Sequence, residues 1–405
     1  MSARTVLLSI DSLRSDRFSN RYFTECWEIF DNEFCFFPNT YSHGTATPLA
    51  FPGLITGETV TGSGTLASDV ETIGESHTGM SVALTNNPHL SFEKGYARGI
   101  DRFDQSASKN LFVSRIKTVG RKSDFLESIY ETVIQSAPVQ STKSRAPYTP
   151  AEPLTNRLIS EVQHMPAFLW GHYMDPHAPH TEQTLTDRDI ETSSTDLEEL
   201  SDAFHSGKAT KEQLQQLEEL YDQHIRYLDR HLGRFLSEAQ STSWWDEALV
   251  VVVGDHGEAF GDEGQQAHPW ASDPREAVIR TPLAVKFPNS SYAGERFDHL
   301  IGHKSVYEAI IAHTSTSDTN PENVLSTNTG TPIVSKSNSA IRVTTEKGWL
   351  IRRRNGTETS EGDITREMRE IAKSESFPEV SALNGDIPGV RDDDLAKRLE
   401  ALGYR

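Results

Sequence analysis

The chain has 405 residues, with 59 acidic against 39 basic side chains and a net charge of −20. A surface this acidic repels phosphate backbones and anionic headgroups, which excludes nucleic acid as a partner. No apolar segment is long enough to span a bilayer, so no membrane insertion is expected, and the length suits one large α/β domain with a small appendage better than several equal domains.

Thr5-Val6-Leu7-Leu8-Ser9-Ile10 reads as a short buried strand, and Asp11 follows it directly. The strand begins so early that no signal peptide or twin-Arg leader is expected ahead of it, and the protein is expected in the cytoplasm. Arg14 and Asp16 read as a solvated or supporting ion pair. Cys26 and Cys35 are too few for a disulfide framework. In residues 42–57, Thr47 followed by Pro48 has the arrangement of a helix N-cap and first helical residue, which puts the Thr47 hydroxyl at the positive end of a helix dipole. Residues 109–122 form a local basic patch, read as a solvated helix face or an entry lip for an anionic substrate. Residues 135–153, rich in Ser, Thr and Pro, read as a surface loop.

Residues 167–173 give another buried strand, with His177 in the loop at its end. Leu214, Leu217, Tyr221, Ile225, Leu228, Leu232 and Phe235 recur at helical spacing and predict a long amphipathic helix covering a sheet. The run 248–253 is a further buried strand, and it leads through Gly254 to Asp255 and His256. After about Thr314 the chain turns to Ser, Thr, Asn and Gly, and residues 340–344 and 348–352 suggest a hairpin. The organisation expected is a catalytic α/β domain over 1–315, built on a mostly parallel sheet with helices on both faces. A small antiparallel subdomain with a hairpin and terminal helix is expected over 316–405.

Two parallel strands that finish on Asp11 and on Asp255-His256 would bring those groups together at the carboxyl edge of the sheet. Carboxylates with an imidazole hold hard and borderline divalent cations, so Ca, Mn, Mg or Zn is the expected cofactor. A hydroxyl beside such a cation, at a helix start, is a candidate nucleophile.

The chain resembles the sulfatase-like branch of the alkaline phosphatase superfamily. The resemblance rests on Ile10-Asp11-Ser12-Leu13-Arg14-Ser15-Asp16, residues 47–57, and His172-Tyr173-Met174-Asp175-Pro176-His177-Ala178-Pro179-His180. It continues through Gly254-Asp255-His256-Gly257-Glu258-Ala259-Phe260-Gly261 and Leu402-Gly403-Tyr404. It implies a metal bound by Asp11, Asp255, His256 and the nucleophile at Thr47. By the same resemblance His177 reaches the anionic group of the substrate, and His268 binds it or protonates the leaving oxygen. His43 and His172 are read as structural, and His180 as packing.

The pattern also departs from that of sulfatases. Their Cys/Ser-x-Pro-x-Arg motif is converted to formylglycine, whereas here Thr47 holds the nucleophile position, Pro48 is one place early and Phe51 stands where Arg belongs. Threonine cannot become an aldehyde by that oxidation. The wording is similar to Thr-nucleophile phosphoethanolamine transferases, and unmodified Thr also serves phosphodiesterases of the superfamily. Ser12 stands where many relatives carry a second ligand Asp. The expected activity is metal-dependent hydrolysis or transfer on an anionic small-molecule or glycan ester, phosphate favoured over sulfate. The alternatives are a sulfatase proper and a catalytically silent anion-binding protein. Acidic residues spread along the whole chain, with arginine outnumbering lysine, resemble proteins of high-salt cytoplasm and predict a halophilic, haloarchaeal source.

Overall fold

A computed structural model describes residues 3–60, 64–105, 148–181, 194–314, 320–327 and 330–378. The basic segment 109–122, residues 135–147 and the motif at 402–404 lie outside the described residues. The rest of the expected 135–153 loop is corrected: Tyr148 is buried, and Ala151–Val162 is a helix that seals one face of the sheet with Leu154, Leu158 and Val162.

The large sheet runs in the order Cys35–Phe36, Leu283–Lys286, Leu249–Gly254, Thr5–Ile10, Phe168–Tyr173, Ser81–Leu84, Arg102–Asp104. Its last five strands are mutually parallel, and the first two are antiparallel to their neighbours. The two faces follow from side-chain alternation. Val6, Leu8, Ile10, Val250 and Val252 pack beneath helices Ala151–Val162 and Lys211–Gln240. Leu7, Val251 and Val253 pack beneath helices Thr47–Thr56 and His303–Thr314. Because both faces are covered, these strands read as unbroken apolar runs, and each buried Val or Leu contributes roughly 1.5–3 kcal/mol.

The long helix extends the expected stripe by three residues at its start. Thr210 caps it, and Gln213 returns a bond to the Thr210 N–H in a capping box. Beyond the large sheet, the expected hairpin is present as Ala340–Thr345 and Gly348–Arg353. Ile333–Lys336 and Glu358–Gly362 extend it to four antiparallel strands. Helix Arg366–Ser374 packs on this sheet through Met368 and Ala372.

Candidate active site

The three central strands end in register: Ile10 lies level with Tyr173 on one side and Gly254 on the other. The backbone carries this alignment one residue further, with Asp11 N–H donating to Tyr173 O (2.8 Å) and Asp255 N–H to Ile10 O (3.1 Å). Asp11, Asp255 and His256 are therefore delivered to one point on the sheet edge. All three are fully buried, and their ligand atoms lie within 4.8 Å of one another. His256 Nε2 is 3.6 Å from Asp11 Oδ1 and 3.7 Å from Asp255 Oδ2.

Thr47 comes to the same point from the other side. Its hydroxyl donates to Asp11 Oδ2 (3.2 Å) and lies 3.4 Å from His256 Nε2. The expected cap is off by one residue: Ala46, with extended backbone angles, is the N-cap, while Thr47 and Pro48 are already helical. A capping bond would aim the Thr47 oxygen at its own helix, and here that oxygen is used on Asp11. Gly44 lets the loop turn close to the helix, since a Cβ there would sit 2.3 Å from Leu49.

The tautomers suit a cation. His256 Nδ1–H donates to Gly257 O (2.9 Å), so Nε2 presents its lone pair to the carboxylates. Asp255 Oδ1 accepts from the N–H groups of Ser12 (3.1 Å) and His256 (2.7 Å), whereas its buried Oδ2 meets no donor among the described residues. A carboxylate oxygen buried without a donor is costly unless a positive partner meets it. Burial also works to raise Asp11, yet the imidazoles of His177, His172 and His256 hold it well below the usual carboxylate range. Burial and the neighbouring Asp11 charge push Asp255 well above that range. Two carboxylates, an imidazole and a hydroxyl around one point fit a divalent cation. Ser12, with φ 56°, spends its hydroxyl on Asp11 Oδ1 (3.0 Å) and serves to orient that ligand.

The second half of the site is built on loops. His177 and His268 face each other with ring centroids 5.1 Å apart, and His268 is 4.4 Å from His256. Burial brings His177 down to about 4 and His268 well below its ordinary value, so both are neutral imidazoles at pH 7. His177 Nδ1 contacts Ala178 O, which makes Nδ1 its protonated nitrogen. His268 Nδ1 lies 3.0 Å from Glu258 Oε2, and burial lifts Glu258 to about 7. Arg14 secures the loop that carries Glu258 by bonding Glu258 O, Asp262 and Asp16, which makes the Arg14–Asp16 pair a supporting one. His172 donates from Nε2 to Asp11 Oδ2 (3.2 Å) and accepts from Ser9 Oγ at Nδ1 (3.0 Å). His43 bonds Val334 O away from the cluster, and His180 packs 4.5 Å from the His224 ring.

Asn87 was not marked by any sequence motif. Its Oδ1 accepts the His89 N–H (2.9 Å), which fixes the amide so that Nδ2 donates to Asp11 Oδ2 (2.8 Å) and Thr47 Oγ1 (3.2 Å). The available signal was its place just after the strand Ser81–Leu84, at the same sheet edge as Asp11. His89 in turn receives the buried Lys94 ammonium at Nδ1 (3.1 Å).

The family model described as Sulfatase matches residues 5–317. The chain belongs to the sulfatase family. Its members are ester hydrolases of the alkaline phosphatase superfamily, whose enzymes are generally dependent on divalent metal. Solved structures share the fold at low identity. A phosphonate monoester hydrolase from Silicibacter pomeroyi is 14% identical, with a TM-score of 0.61 and coverage of 92% of each chain. A putative sulfatase from Bacteroides thetaiotaomicron is 12% identical, with a TM-score of 0.62 and coverage of 99% of this chain and 91% of that one. A third, solved in complex with its substrate D-glucosamine-2-N,6-O-disulfate, is 13% identical with a TM-score of 0.59, covering 89% of this chain and 91% of that one. Within this sulfatase-family chain, Phe51 is fully buried against Trp170 (5.7 Å) and His172 (5.2 Å), so its position belongs to the core.

Proposed function

We propose that the chain is a divalent-metal-dependent phosphoester hydrolase, or a phosphoryl transferase, with Thr47 as its nucleophile. The observation that carries this reading is the Thr47 hydroxyl, buried at a helix start within 3.4 Å of Asp11 Oδ2, His256 Nε2 and Asn87 Nδ2. A cation held by Asp11, Asp255, His256 and Thr47 would supply Lewis-acid stabilisation of charge on the attacking oxygen. Thr47 directs its proton at Asp11, and the Asn87 amide donates to the oxygen that becomes nucleophilic. That oxygen attacks phosphorus in line and forms a phosphothreonine ester. The charge of the entering anionic ester favours protonation of both imidazoles, so that His177 donates to the anionic oxygens and His268, oriented by Glu258, gives its proton to the leaving oxygen as general acid. Water or an acceptor alcohol then cleaves the ester.

Phosphorus is favoured over sulfur for two reasons. Thr47 cannot be converted to formylglycine, and the position where sulfatases carry Arg is given to Phe51 in the core. The substrate class proposed is an anionic sugar or small-molecule ester, in line with the neighbour solved in complex with its substrate, a disulfated glucosamine. The end of the family match at residue 317 supports a catalytic domain over 1–315 followed by a smaller unit over 316–405. The charge of −20 supports a halophilic, haloarchaeal source and a cytoplasmic location. No helix among the described residues is long and apolar enough to cross a membrane. The test is turnover of an aryl phosphodiester against an aryl sulfate under one metal condition. Faster phosphodiester cleavage is expected; exclusive sulfate cleavage would make the chain a sulfatase proper, and metal-dependent binding without turnover of either would make it a silent anion binder.

A further inference from the structure

Lys336 ends the strand Ile333–Lys336, far along the chain from Thr47, yet it touches the chain on both sides of the helix Thr47–Thr56. Its N–H donates to His43 O (2.9 Å), and its carbonyl accepts the Thr45 N–H (3.2 Å), forming a parallel bridge with Gly44. Ser335 Oγ donates to Ser42 O (2.6 Å), and His43 Nδ1 donates to Val334 O (2.8 Å). The segment entering the nucleophile helix is thus laid against the edge of the C-terminal sheet. The Lys336 side chain, fully buried, reaches the segment leaving the same helix. Its ammonium donates to Thr59 Oγ1 (3.3 Å) and Val60 O (3.4 Å) and pairs with Glu375 Oε2 (2.7 Å). Gly57, two residues before Thr59, is the left-handed cap that ends the helix, with φ 71°. Three donors on the ammonium meet three oxygens, so the group is satisfied only while the exit segment and Glu375 are both in place.

We propose that Lys336 is a positioning residue, tying the entry and exit of the nucleophile helix to the C-terminal sheet so that the Thr47 hydroxyl is held on Asp11. The inference rests on the reading of Thr47 as nucleophile. The backbone leg survives any side-chain substitution, so the ammonium leg can be tested alone. The buried pair is also asymmetric. Glu375 is 29% exposed and can hydrate when the ammonium is removed, whereas an ammonium without Glu375 stays buried and loses the carboxylate that pairs with it among the described residues.

The test compares Lys336→Met, Lys336→Gln, Lys336→Arg, Glu375→Gln and Thr47→Ala in the full chain. It measures kcat and KM on the ester that the wild type turns over, cation affinity by calorimetry, and Tm. Lys336→Met and Lys336→Gln should lower kcat roughly 10- to 100-fold with KM unchanged and cation affinity reduced far less than kcat, since Asp11, Asp255 and His256 stay in place while a displacement of the Thr47 hydroxyl by about 1 Å costs that order of rate. Lys336→Arg should recover most of the loss, and Glu375→Gln should lower Tm more than Lys336→Met does. Wild-type kcat in either folded Lys336→Met or Lys336→Gln, or a parallel fall of kcat and cation affinity, overturns the proposal. If neither folds, lack of rescue in Lys336→Arg does the same. Thr47→Ala separates the two failures: full turnover there removes the nucleophile reading itself, whereas loss of turnover there with normal kcat in the Lys336 variants removes only the role of Lys336.

Discussion

The two halves of the site are held by different means. Asp11, Asp255 and His256 stand at the ends of neighbouring parallel strands, where sheet register fixes their separation. His177, His268 and Glu258 stand on loops, and their geometry depends on contacts between distant segments, such as Arg14 reaching Glu258 O and Asp262. The first half should therefore tolerate loss of a side chain without moving, while the second should lose alignment when any supporting contact is cut.

The largest expected effect is in the strand-end half. Asp255→Asn or His256→Ala should abolish cation binding and turnover while Tm changes little, because the backbone bonds that set the register remain. Unchanged metal content in both variants would remove these residues from the cation site. In the loop half, His268→Ala should cost roughly 10²–10⁴-fold in kcat, the usual yield of a general acid. Glu258→Gln should cost roughly 10- to 100-fold, acting only through the orientation of His268. If Glu258→Gln proved as damaging as His268→Ala and also lost metal, the division into two halves would be wrong.

That division also separates what the sequence discloses from what it hides. An apolar run marks a buried strand, and a ligand placed directly after it inherits the sheet edge; Asp11, Asp255 and His256 are legible for that reason. Thr47 was legible as a helix start, but the cap fell one residue early because the hydroxyl is spent on Asp11 and not on its helix. Asn87 follows a strand of only four residues and carries no motif, so nothing local distinguishes it from a loop asparagine. The grip of Lys336 on residues 43–60 is invisible locally, since its meaning lies in contacts 276 and 277 residues apart.

Buried titratable groups outside the cluster sharpen the comparison further. Burial lowers His77 and His224 to about 4 and His303 to about 3, so each favours the folded state above about pH 6.5 and withdraws that support as pH falls toward 4. Asp175, raised by burial to about 7, acts oppositely: its support is complete below pH 3.8 and is lost as pH rises through 7. Stability should fall between about pH 6.5 and 4, and Asp175→Asn should steepen that fall. A shallower acid limb in Asp175→Asn would show that its carboxyl is not held protonated. The smallest effect expected per residue is at the surface. Tm should rise with molar potassium chloride as screening relieves the repulsion behind the −20 charge, and a steady decline would remove the halophilic reading.

The most direct measurement is to quench a reacting sample with its phosphoester and map the covalent adduct by peptide mass spectrometry, in the wild type, Thr47→Ala and Thr45→Ala. The account predicts a phosphoryl group on the peptide at Thr47, no adduct and no turnover in Thr47→Ala, and both retained in Thr45→Ala. Undiminished turnover in Thr47→Ala, or an adduct on any other residue, would contradict it.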